Sequence, residues 1–95
     1  MLSAFQIACE TALQAALARH GSALQDRSLG GESETYITAR LAGTNISVYI
    51  YDDEASILGP GVDLPFETPD FDTPRELQTA FVTACLDVLA RFVPE

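Results

Sequence analysis

The sequence predicts a two-layer α+β domain in the order α-β-β-β-α, a three-stranded antiparallel meander with two helices packed on one face. Three observations predict it. Apolar residues recur at helical spacing near both ends of the chain. Between them, Ile37, Ala39 and Leu41, then Ile46, Val48 and Ile50, alternate with other residues as in strands that bury one face. Short glycine-rich or acidic clusters separate these runs, where tight turns belong. The 95 residues are 47% apolar and 20% charged, which suits one domain over 1–95 with a thin core.

The first helix is expected over 3–19. Leu2, Phe5, Cys9, Ala12, Leu13, Ala16 and His20 share one stripe, and Gln6, Glu10 and Gln14 lie away from it. Ser3 suits the N-cap, Arg19 the negative end of the helix dipole, and Gly21 the left-handed stop. Residues 21–33 read as a connection, tacked down by Leu24 and Leu29, with room for an extra helical turn at 22–27.

A hairpin over 34–42 and 45–52 follows. Gly43-Thr44 suits a two-residue turn with glycine at the positive-φ position, and a turn at Thr44-Asn45 keeps the same faces. The turn pairs Leu41 with Ile46, Ala39 with Val48 and Ile37 with Ile50, all on one face. Tyr36, Thr38, Arg40, Ser47, Tyr49 and Tyr51 then occupy the other face, so all three tyrosines point away from the helices. A second turn at Asp52-Asp53 or Asp53-Glu54 leads into a short strand, Ala55 to Leu58. Gly59-Pro60-Gly61 ends it.

Residues 59–73 read as a long acidic loop stiffened by Pro60, Pro65 and Pro69. Val62, Leu64, Phe66 and Phe71 hold it over the core. Thr73, Pro74 and Glu76 are the N-cap, N1 and N3 of the last helix, which runs to about Phe92. Its main stripe is Leu77, Ala80, Phe81, Ala84, Cys85, Val88 and Phe92. A second stripe, Val82, Leu86, Leu89 and Val93, is more than a helix needs to cover a sheet, and marks a candidate oligomer interface.

The order α-β-β-β-α is similar to that of the double-stranded-RNA-binding domain, across the whole chain. That family grips phosphates with a basic cluster at the start of its second helix. Asp70, Asp72, Arg75 and Glu76 stand there in this chain. The resemblance therefore implies a packing order and no RNA binding.

Charge points the same way. Fourteen acids against five bases leave a net charge of −9, and all five bases are arginines. Neither nucleic acid nor an anionic membrane suits such a surface. MLSAFQIACE lacks a basic n-region and Glu10 interrupts any signal-type apolar core, so a cytoplasmic location is expected. Cys9 and Cys85 fit buried free thiols there. Residues 52–76 hold eight of the acids and one base, Arg75.

His20 has no recognisable nucleophile motif near it, so no catalytic residue is assigned. The carboxylates lack the spacing of a calcium loop, and no glycine-rich phosphate loop is present, so no metal or cofactor is expected. Tyrosine and arginine are frequent at binding hot spots. The candidate binding residues are therefore Tyr36, Arg40, Tyr49 and Tyr51, with Asp63, Glu67, Asp70 and Asp72 of the acidic loop. The sequence points to a non-enzymatic interaction module that self-associates as a homodimer and meets a protein partner, one with a basic surface. A second reading is a small-molecule or metal-binding module, with its site between the 59–73 loop and the sheet, and a third is a minor enzyme using His20 or the carboxylates.

Overall fold

The computed structural model describes residues 2–32 and 35–92, and it has an α+β fold. Helix α1 spans Ala4–Arg19, followed by strands β1 (Leu24–Gly30), β2 (Tyr36–Leu41), β3 (Ser47–Ile50), β4 (Ala55–Gly59) and β5 (Val62–Phe66). A 3₁₀ turn, Thr68–Asp70, leads into helix α2 (Pro74–Phe92). The strands form one antiparallel meander in the order β1-β2-β3-β4-β5.

The sheet has five strands, not three, and the element order therefore departs from the one shared with the RNA-binding domain. Both additions are edge strands. Residues 24–30 form a strand where the sequence suggested a connection or a helical turn. A bulge between Gln25 and Ser28 carries it past β2, and Asp26 there takes φ 55°. Residues 62–66 pair with β4 where a loop was expected. Pro60-Gly61 reverses the chain, with Gly61 at φ 74°. Pro65 is tolerated because an edge strand can lack one ladder donor.

The central register is the one that hydrophobic alternation dictates. Ile37 faces Ile50 and Ala39 faces Val48, and the Leu41 amide donates to the Ile46 carbonyl at 2.9 Å. The turn itself differs. Its loop is 42–45, with Gly43 at φ 78° and the Thr44 amide donating to the Leu41 carbonyl at 3.1 Å. The buried Thr44 hydroxyl also donates to that carbonyl and accepts from the Ile46 amide, so it fixes the loop.

Both helices cover the aliphatic face. Cys9, Leu13 and Leu17 of α1 and Leu77, Phe81, Cys85 and Val88 of α2 close one core with Ile37, Val48, Ile50 and Ile57. Phe66 of β5 meets Phe81 edge to face, with ring centroids 5.8 Å apart. Helix α1 ends as expected: Gly21 takes φ 72°, and the Gly21 and Ser22 amides donate to the Ala18 and Leu17 carbonyls. His20 is exposed at this C-cap rather than on the buried stripe.

Gln6 also departs from the sequence reading, for it is only 1% exposed. Its side-chain amide donates to the Thr35 and Ile50 carbonyls at 2.7 and 3.1 Å. Its oxygen accepts from the Ser3 amide at 2.7 Å, completing a capping box. The Ser3 hydroxyl donates to the Asp52 carbonyl at 2.9 Å. One glutamine thus ties the start of α1 to the ends of β2 and β3, which a buried amide must do to satisfy its donors.

Candidate functional site

The sheet face opposite the helices is built in three cross-strand rows. Strand parity places Gly30, Tyr36 and Tyr51 in the first row, and Ser28, Thr38, Tyr49, Ser56 and Pro65 in the second. The third holds Gln25, Arg40, Ser47, Leu58 and Asp63. Tyr36, Arg40, Tyr49, Tyr51 and Asp63 of the sequence-derived set therefore share one face.

The three tyrosines form a single cluster. Ring centroids lie 5.2 Å apart for Tyr36 and Tyr51, 6.4 Å for Tyr36 and Tyr49, and 6.4 Å for Tyr49 and Tyr51. The Tyr49 and Tyr51 rings are nearly parallel, at 10°, because the two residues stand on one side of the same extended segment. Tyr36 and Tyr49 are half-buried and Tyr51 is 39% exposed. The Tyr36 ring lies over Gly30: a Cβ built there would stand 2.3 Å from Tyr36 Cζ. Glycine opposite an aromatic residue gives that ring a seat on the bare backbone. The sequence reading missed Gly30 because it placed the residue in a flexible connection.

Arg40 is on this face but is already engaged. Its guanidinium donates to the Asp26 carboxylate at 2.7 and 3.1 Å and to the Thr44 carbonyl at 3.2 Å. The bulge supplies that partner, since its extra residue turns Asp26 toward Arg40. The adjacent Arg27 binds Glu10 of α1 through two hydrogen bonds, at 2.8 and 3.1 Å. Asp26 carried no signal in the sequence, because its role depends on the unseen bulge.

The acidic residues divide. Asp63 is exposed on β5, whereas Glu67, Asp70 and Asp72 are exposed beyond that edge, on the connection to α2. The 3₁₀ turn is tied back to the β3–β4 turn: the Thr68 amide donates to the Glu54 carboxylate and its hydroxyl to the Asp53 carbonyl. Residues 62–66 are hydrogen-bonded to β4, so that part of the expected 59–73 loop belongs to the sheet. Among the described residues, no group of three or more His, Cys, Asp or Glu side chains is placed to hold a metal ion.

The second stripe of α2 is mostly absorbed by the fold. Leu89 is 8% exposed and belongs to the core, while Val82 and Leu86 are half-buried against it. Val93 lies outside the described residues. Leu86 and Leu89 line a groove of about 950 Å³ that also contains His20, Ala42, Thr83 and Asp87.

Both cysteines are buried free thiols. Burial pushes the Cys9 thiol up to about 12, and raises Cys85 as well, with a further contribution from Cys9 beside it. Thiols so protonated are poor nucleophiles. Among the described residues, no helix is long and apolar enough to cross a membrane. No family model matches this chain, and neither a curated protein nor a solved structure is significantly similar to it.

Proposed function

We propose that this chain is a non-enzymatic interaction module that meets a protein partner through the outer face of its sheet. One observation carries the reading: three phenol rings in mutual contact lie on a face that neither helix covers. Tyrosine offers a large, stiff contact area with a polar tip, which is why it recurs at binding hot spots. Asp63 stands on the same face, and Glu67, Asp70 and Asp72 extend the negative field past its edge, which speeds encounter with a basic partner. Self-association belongs to the same reading. Ile7 on the outer side of α1 is 55% exposed, and Leu86 and Leu89 line the groove beside α2.

Site-directed photo-cross-linking in the cell tests the surface. A photoreactive phenylalanine analogue at position 49 or 51 is expected to capture another protein, while the same residue at exposed Gln14 on α1 is not. Absence of cross-links from both tyrosine positions would remove the proposal. Light scattering at two protein concentrations tests self-association, and a monomer at both would remove that part alone.

A further inference from the structure

The surface described above has a chemistry that narrows its occupant. We propose that the tyrosine face receives an arginine-bearing segment of a protein partner, whose guanidinium groups stack on the rings of Tyr49 and Tyr51. This rests on the interaction reading and specifies it.

Three features support arginine. First, among the described residues no arginine is placed on the rings. Arg40, the one base in the three rows, is held at the β1 end by Asp26 and the Thr44 carbonyl. Arg27 is bound to Glu10, and Arg19, Arg75 and Arg91 belong to the two helices in the opposite layer. Second, carboxylates stand near the tyrosines in the chain and on the sheet. Asp52 and Asp53 form the turn directly after Tyr51, and Asp63 lies two strands from β3, about 10 Å across the sheet. Third, the remaining neighbours Thr38, Ser47 and Ser56 are uncharged, so nothing among them repels a cation. A tyrosine face attracts a cation through the ring quadrupole, and the surrounding anions add to it. Arginine is favoured over lysine because its guanidinium is planar, weakly hydrated and able to stack while donating to a carboxylate.

Fluorescence anisotropy with labelled peptides tests this. The probes are an Arg-Gly repeat, a Lys-Gly repeat of equal length and charge, and an uncharged proline-rich peptide, all at low salt. The Arg-Gly peptide is expected to bind about five-fold more tightly than the Lys-Gly peptide, the margin of two exposed stacking contacts. Tyr49→Leu with Tyr51→Leu should bring it down to the lysine level. Tyr51→Leu alone, at the more exposed site, should give part of that loss if the double variant does not fold. Asp52→Asn with Asp53→Asn should weaken both basic peptides alike. Equal affinities for arginine and lysine, binding indifferent to the tyrosines, preference for the proline-rich peptide, or no binding at all would each overturn the proposal. Cross-links from positions 49 and 51 that persist after such a result would leave the interaction surface standing and remove arginine alone.

Discussion

Gly30→Ala tests how the tyrosine cluster is seated. The new methyl group would stand 2.3, 2.4 and 2.6 Å from Tyr36 Cζ, Cε2 and Oη, so it cannot coexist with the ring where it lies. Gly30 does not occupy the positive-φ region, so an alanine backbone fits and the ring must swing away. That motion breaks the Tyr36–Tyr51 and Tyr36–Tyr49 contacts, at about 0.5–1.5 kcal/mol for each aromatic pair. Alanine restricts the unfolded chain and returns about 0.4–1 kcal/mol. The net expectation is a loss of about 1 kcal/mol, a fall in Tm of about 4–8 °C for a domain of this size. The chain has no tryptophan and all three tyrosines are in the cluster, so the near-ultraviolet circular dichroism of tyrosine reports it directly. That band should weaken while the far-ultraviolet spectrum is retained. In a Tyr36→Ala background the clash is gone, and the same Gly30→Ala change should become stabilising. A single variant as stable as wild type with an unchanged tyrosine band, or a destabilisation that persists without Tyr36, would refute the seating of this ring.

Gln6→Leu removes the capping box and leaves the Thr35 and Ile50 carbonyls without their donor; a loss of about 2–4 kcal/mol is expected in urea denaturation. Asp26→Ala loses the Arg40 ion pair and keeps the positive φ, so it should cost about 1 kcal/mol. Asp26→Gly loses the same pair but relieves the backbone, and should stay within about 0.5 kcal/mol of wild type. The thiols predict an alkaline limit. Cys9 is raised to about 12 when folded and titrates near 8.5 unfolded, so the native state holds the proton after the unfolded chain has lost it. Stability is therefore full below about pH 8.5 and falls by about 1.4 kcal/mol per pH unit up to about pH 12. Cys85, raised too, adds the same slope, and Cys85→Ala should halve the thiol contribution in unfolding free energies measured across that window.

The inner sheet was legible because one face of each central strand is buried. Register errors there would have put Ile37, Val48 and Ile50 into water, so alternation fixed both their pairing and the outward direction of the tyrosines. The edge strands escaped for opposite reasons. Leu24 and Leu29 are five residues apart and would point to opposite faces of a regular strand; the bulge at Asp26 and Arg27 brings both inward. In β5 the alternation of Val62, Leu64 and Phe66 was visible, but Pro65 argued for a loop, and only the edge position reconciles the two. Gln6 was misplaced because a polar residue on a helix defaults to water until the carbonyls it must satisfy are known. The site followed the same division. The tyrosines were readable from parity, while Asp26 and Gly30, which hold Arg40 and seat Tyr36, depended on a strand the sequence did not reveal.

Both margins of the meander carry features that disfavour strand addition. On one side Asp26 and Arg27 interrupt the ladder, and on the other Pro65 withholds a donor beside the charge of Asp63. A neighbouring chain would meet an interrupted ladder at either margin, which opposes strand addition of the kind that builds fibrils. With its margins so guarded, the sheet leaves the tyrosine cluster to be approached across its face rather than along its edges.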